Sequence, residues 1–223
     1  MARHQRKRRR DINPILFVIA LTLLLANVAV FLRREGRSLP GEGVRLPDYV
    51  TVDYLVKNEW SRPGTPLTKI NGVVIHYVGN PGTSAQANRN YFNGLALSHE
   101  TSASAHFVVG LEGEVIACVP LTEVAYASNE RNADTVSIEV CHPDETGEYS
   151  AATYERVVEL TAWLCGTFDL DVQEDVIRHY DVTGKICPKY YVEHPEAWEQ
   201  LKADVEAKMA PWARTPAKIF SKM

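Results

Sequence analysis

The sequence predicts a mixed α/β domain, a single central β-sheet flanked by helices, preceded by one N-terminal transmembrane helix. Three observations predict it: short apolar or alternating runs bounded by turn residues, helical stripes that open on Ser or Pro, and an 18-residue apolar stretch behind a basic run. At 223 residues, 45% hydrophobic and 23% charged, the chain fits one ordinary globular domain plus an appendage. No internal repeat is visible.

Residues 1–13 read as a basic cytoplasmic tail, with Arg3, Arg6, Lys7, Arg8, Arg9 and Arg10. Residues 14–33 read as a signal anchor: Ile15 to Leu32 is apolar apart from Thr22 and Asn27, close to the roughly 20 residues that cross a bilayer as a helix. Pro14 sits at its start, where a missing amide hydrogen costs little. Arg33, Arg34 and Arg37 follow, with Glu35 between them, so the heavier positive flank is the amino-terminal one. That flank is expected to stay in the cytoplasm, placing the rest of the chain outside a single-pass anchor. The basic run also suits anionic lipid head groups. The alternative, a cleaved signal peptide, asks for an apolar region of roughly 7–15 residues and a small-x-small cleavage site. Leu24-Leu25-Ala26 and Asn27-Val28-Ala29 supply poor ones.

Residues 34–58, with Pro40, Gly41, Gly43 and Pro47 and no sustained periodicity, read as a linker, and residues 59–210 as the domain, with 211–223 as a tail. Trp60 to Lys69 reads as an arm lying over the domain. Val73 to Val78 is a short, nearly continuous apolar run, as for a strand covered on both faces. Ser84 is expected to cap a helix whose stripe is Ala87, Tyr91 and Leu95. His106 to Gly110 and Glu114 to Val119 read as a hairpin around Leu111-Glu112-Gly113. Thr135 to Cys141 alternates, with Val136, Ile138 and Val140 on one face and Ser137, Glu139 and Cys141 on the other. Ser150 caps a helix with the stripe Tyr154, Val157, Val158, Thr161 and Leu164, and Pro195 opens a last one carrying Trp198, Leu201 and Val205.

From residue 38 onward 15 Lys and Arg face 26 Asp and Glu, about −11 with His neutral. Such a surface argues against a nucleic-acid partner, which asks for a basic patch. Of Cys118, Cys141, Cys165 and Cys187, the first and third sit in patterns that suit small buried hydrophobes. If Cys187 is a metal ligand, at most one disulfide is left to form.

His76 interrupts the first strand, and His179 and Cys187 bracket Tyr180 to Ile186. Eight residues apart, the latter two are not ligands on successive turns of one helix. Thr183-Gly184 lets the chain fold back before Pro188 stiffens the exit, so a loop can bring both to one ion. Two imidazoles and a thiolate are good zinc ligands, and a three-ligand protein shell leaves the fourth position open, as in catalytic sites. Glu139 is a carboxylate in an otherwise apolar strand, costly to bury as an unpaired ion, so it faces solvent or has a task. Lys185, two residues before Cys187, would point to the ligand side in an extended loop and could meet developing negative charge on a carbonyl oxygen.

These segments, in this order, resemble the zinc-dependent N-acetylmuramoyl-L-alanine amidases of the type-2 amidase and peptidoglycan-recognition superfamily. The resemblance runs from about Asn71 to Ala207 through the His76 strand, the block Ser104 to Val109 with its Glu112-Gly113 turn, the strand Ser137 to Cys141, and the segment His179 to Cys187. It implies zinc held by His76, His179 and Cys187, Glu139 as the acid/base residue, and Lys185 beside the oxyanion, with Thr183 a weaker candidate. Some relatives use a tyrosine at the position of Ala105 instead of the glutamate. It also implies the substrate: peptidoglycan or a muropeptide, cut between N-acetylmuramic acid and L-alanine. A non-catalytic peptidoglycan-binding module, or a zinc peptidase or amidase on another substrate, are the alternatives, and Cys187 counts against the first because binding-only relatives typically lack that cysteine. His106 reads equally as a core residue or a groove residue. Asp181 could orient an imidazole or cap a turn, and His99, His142 and His194 read as surface residues.

Overall fold

The computed structural model describes residues 19, 21–23 and 38–213. It divides the chain into two units, Met1–Ser38 and Leu39–Met223. In the first unit, Ile19 and Leu21 to Leu23 are helical, and Thr22 Oγ1 donates to the Ile19 carbonyl at 2.9 Å. The membrane-spanning helix expected over 14–33 is corrected: no helix among the described residues is long and apolar enough to cross a membrane. Hydropathy is only one of the two requirements. The other is a continuous helix of roughly 20 residues, and no described helix meets both. The single-pass localisation and the membrane partner drawn from that span are withdrawn with it. The remainder of 14–33 and the basic tail 1–13 lie outside the described residues.

The second unit holds six strands, β1 Val50–Val52, β2 Val73–Ile75, β3 Phe107–Val109, β4 Val115–Ala117, β5 Val136–Val140 and β6 Val176–Arg178, in the sheet order β1-β4-β3-β5-β2-β6. Only β3 and β4 run antiparallel, as the hairpin predicts, and Gly113 takes φ 78° in its turn. The other neighbours are parallel. The helices are α1 Ala85–Ser98, α2 Ala151–Phe168, α3 Val172–Asp175, α4 His179–Thr183, α5 Lys189–Glu193 and α6 Pro195–Ala213, with a 3₁₀ turn at Asn129–Ala133.

Alternation along the strands sorts the core into two layers. Ile75, Phe107, Ile138, Val140 and Val176 pack with Val157, Leu160, Leu164 and Leu201 of α2 and α6 on one face. Val108, Ile116 and Cys141 pack with Ala85, Phe92 and Leu95 of α1 on the other. Burying a Leu or Phe side chain completely stabilises by about 1.5–3 kcal/mol, so each layer is a large term in folding. Ser84 and Ser150 cap α1 and α2 by accepting from Ala87 N and Thr153 N, as the sequence predicts. The stripe of α1 is rotated from the expected one: Ala85, Asn88, Phe92 and Leu95 are buried, while Tyr91 is 48% exposed. Phe92 wins the inward position because it follows the same 3–4 spacing with a fully apolar ring.

Two differences concern the margins of the domain. Within the segment read as a linker, β1 joins the sheet edge beside β4, and Leu55 is buried. His142, read as a surface residue, is 2% exposed, with Nδ1 2.7 Å from the Asp144 carbonyl and Nε2 2.8 Å from that of Val78. The arm behaves as expected: Trp60 stacks on His99, and Leu67 reaches the core. All four cysteines are free and buried.

Candidate metal and catalytic site

The site stands at the carboxyl ends of three parallel strands, where open α/β sheets place their ligands. β2 lies between β5 and β6, with Ile75 paired to both Ile138 and Arg178. One residue further along that register, His76, Glu139 and His179 come level across the three strands. The ladder continues there, since His76 N donates to the Ile138 carbonyl at 2.9 Å. Below His76, the Tyr149 hydroxyl donates to its carbonyl at 3.1 Å.

The return of Cys187 to this level is made by the chain from 179 to 187. Its first five residues form α4 rather than a loop. Gly184 ends α4 at φ 77°, where a side chain would be strained, and its N–H donates to the Tyr180 carbonyl at 2.7 Å. Tyr180 N then donates to the Cys187 carbonyl at 2.8 Å and closes the excursion beside His179. Asp181 accepts from Arg178 N, Nε and Nη2 at 2.8, 3.1 and 2.7 Å, so it caps α4 and orients no imidazole. Thr183 Oγ1 donates to the His179 carbonyl, also a local bond.

His76, His179 and Cys187 are buried, and their ligand atoms lie within 4.8 Å of one another. Tetrahedral zinc with N and S ligands sets them roughly 3.3–3.7 Å apart. His76 Nδ1 and Cys187 Sγ, at 3.9 Å, stand near that spacing. Glu139 Oε1 is 3.9 Å from the same nitrogen, while Oε2 is buried with no hydrogen-bond partner. A carboxylate oxygen left unpaired beside three soft donors is what a site built for a cation and its water would show. The donor set therefore fits a zinc ion.

Burial dominates the electrostatics of these groups. Burial pushes the Glu139 carboxyl up to about 8, against the pull of the Lys185 ammonium. Burial also pushes the Cys187 thiol up to about 12, and Glu139 adds to it, while a backbone hydrogen bond from Tyr77 and the Lys185 charge draw it back. His76 is held well below the usual imidazole value by burial, then by His179 and Lys185. His179 is lowered by burial and Lys185. Both imidazoles thus stay neutral, the form that ligates.

A cavity of about 200 Å³ exposes these groups: His76, Glu139, His179 and Cys187 line it together with Lys185, whose residue is exposed at the surface. A neighbouring polar recess of about 250 Å³ shares Ser102, Tyr126 and Ala127 with it and adds Asn129 and Asn132. A larger hollow of about 460 Å³ between α2, α5 and α6 is lined by tyrosines and contains none of the cluster, so size alone does not pick the site.

All five residues singled out from the sequence, His76, Glu139, His179, Lys185 and Cys187, thus come to one cavity. His106 does not. It is a core residue whose Nδ1 accepts from Ser137 N at 3.0 Å and whose Nε2 faces the Glu123 carbonyl at 3.0 Å. Sequence reasoning missed Ser128 and Asn129, which contact the outer nitrogens of His76 and His179. A Ser-Asn pair between elements reads as turn chemistry, and no spacing signal joins it to histidines 50 residues away.

The family model for N-acetylmuramoyl-L-alanine amidase matches residues 66–190. The chain is 32% identical over 180 residues to N-acetylmuramoyl-L-alanine amidase BlyA of Bacillus subtilis (strain 168), covering 72% of this chain and 47% of that protein. It is 34% identical over 157 residues to N-acetylmuramoyl-L-alanine amidase CwlL of Bacillus licheniformis, covering 64% of this chain and 42% of that protein. The chain therefore spans less than half the length of these two relatives. Among solved structures, the catalytic domain of XlyA matches with a TM-score of 0.58 at 22% identity, covering 70% of this chain and 98% of that one, a likeness of fold.

Proposed function

Because the chain belongs to the N-acetylmuramoyl-L-alanine amidase family, we propose that residues 59–210 form a zinc amidase that cuts peptidoglycan between N-acetylmuramic acid and L-alanine. The observation that carries this reading is the meeting of His76, His179 and Cys187 beside Glu139, whose Oε2 has no hydrogen-bond partner among the described residues. His76, His179 and Cys187 would hold the zinc. When bound, zinc lowers the pKa of a coordinated water toward neutrality and polarises the scissile carbonyl.

The chain's own groups do the rest. Glu139, deep in the cavity and hydrogen-bonded to no protein group through Oε2, accepts the proton of the attacking water and returns one to the leaving amine. Lys185, at the mouth of the same cavity, offsets the negative charge that develops on the carbonyl oxygen. The recess formed by Ser102, Tyr126, Asn129 and Asn132 offers hydroxyl and amide groups to a polar substrate adjoining the reacting bond.

Mass spectrometry of purified peptidoglycan digested with the protein, with and without a chelator, tests this. The expected product carries a new free amino group on L-alanine, and chelation abolishes it. A different new end group would assign another amidase or peptidase activity. Binding without any cleavage would make the domain a recognition module.

A further inference from the structure

We infer that Ser128 and Asn129 are positioning residues for the two histidines, Ser128 holding the ring of His76 and Asn129 fixing the tautomer of His179 so that its Nδ1 stays bare for the metal; the inference rests on the zinc reading of the site. Ser128 Oγ lies 3.0 Å from His76 Nε2, and Asn129 Oδ1 lies 3.2 Å from His179 Nε2. A neutral imidazole has one N–H, so a ring that donates it through Nε2 keeps its lone pair on Nδ1. On His76 the nitrogen facing the cluster is Nδ1, 3.9 Å from both Cys187 Sγ and Glu139 Oε1, and Ser128 holds the ring by its other nitrogen. On His179 the opposite tautomer would set a bare Nε2 against the Asn129 amide oxygen, two acceptors with no proton between them.

The pair is itself held in place. Asn132 Oδ1 accepts from Ala127 N at 3.0 Å and Ser128 N at 2.5 Å, and Arg131 N donates to the Ser128 carbonyl at 2.9 Å. Asn129 adopts φ 51°, a left-handed conformation that Asn tolerates better than most residues, and the 3₁₀ turn it opens packs against α4, which begins with His179. Ser128 is 1% exposed, so water does not compete for its contact with His76. Two adjacent residues from one turn thus orient two ligands carried by different strands.

The test uses ¹⁵N NMR of the histidine rings in metal-free protein and zinc affinity measured by competition with a chromophoric chelator. In the unmodified protein His179 is expected as the Nε2–H tautomer. Asn129→Ala should mix the tautomers of His179, and Ser128→Ala and Asn129→Ala should each weaken zinc binding about 10- to 100-fold, the usual cost of losing a partner of a ligating histidine. Asn129→Asp keeps an acceptor oxygen and should retain affinity, which a merely space-filling role would not require. If Ser128→Ala does not fold, the Asn129 pair decides alone. Unchanged tautomers, or zinc affinity within twofold of the unmodified protein, would overturn the inference while leaving the zinc reading intact. An unmodified protein that takes up no zinc would sink both.

Discussion

His76 and His106 lie on the two strands that flank β5, both 1% exposed and both among apolar neighbours, yet they do opposite things. His106 sits level with Ser137, and both of its ring nitrogens are used inside the protein, one accepting from Ser137 N and the other facing the Glu123 carbonyl. It ties β3 to β5 and to the segment after β4. His76 sits level with Glu139, and Ser128 takes its outer nitrogen at 3.0 Å. Its inner nitrogen has only long contacts, 3.9 Å to Cys187 Sγ and 3.9 Å to Glu139 Oε1. Burial therefore does not separate a structural histidine from a candidate ligand. A ring nitrogen unspent on any short hydrogen bond does.

The largest effect should come from the residue that faces the unspent nitrogen without being a ligand. Glu139→Gln keeps shape and metal but removes the base, so turnover should fall about 10²- to 10⁴-fold with zinc content unchanged, as read by kinetics and metal analysis. Near-normal turnover would make Glu139 an ordinary strand carboxylate. Loss of zinc together with activity would move it into the metal shell.

The two histidines themselves should give a crossed pattern. His76→Ala or Cys187→Ser should lose most of the zinc, about one per chain in the unmodified protein. His106→Ala should keep zinc but strand Ser137 N and the Glu123 carbonyl, costing about 2–4 kcal/mol in denaturant unfolding. Full zinc occupancy in Cys187→Ser would remove that residue from the site.

A pH series sharpens the contrast. Burial holds His106 down to about 4, against the ordinary 6.5. Between those values the unfolded chain binds a proton that the folded chain does not. Its contribution is thus complete above about pH 6.5 and is lost as pH falls toward 4, by about 3 kcal/mol at most. Unfolding curves at stepped pH should show this decline, and His106→Gln should flatten it. An undiminished slope in that variant would assign the decline to other groups.

The smallest effect is expected at the mouth of the cavity. Lys185 is exposed, so water and salt screen its charge, and Lys185→Ala should lower turnover only about tenfold, well short of the loss at a buried oxyanion donor. An unaffected rate would return Lys185 to the solvated surface.

What was legible in the chain was local. Ser84 and Ser150 announce helices because a cap hydroxyl bonds an amide three residues away, and Gly113 and Gly184 mark turns because their φ is positive. The alternation of Val136 to Cys141 separates two core layers for the same reason, since a strand's faces are set by its own period. Three-residue strands such as β1 and β6 carry no such period, and only pairing with β4 and β2 defines them. The inward face of α1 was only partly legible for a related reason. Leu95 is buried as its stripe predicts, but Ala85, Asn88 and Phe92 complete the buried face in place of Ala87 and Tyr91, and the neighbouring sheet chose between them.

The sequence by itself determined the donor set: two imidazoles and a thiolate that suit zinc, because ligand preference belongs to the side chain and not to the fold. Tertiary structure decided which histidines meet Cys187 and which groups their ring nitrogens face. His76 meets Ser128 across 52 residues and Cys187 across 111, and His179 meets Asn129 across 50. Those partners, and the burial that makes an unmatched nitrogen or carboxylate costly, exist only once β2, β5 and β6 lie side by side.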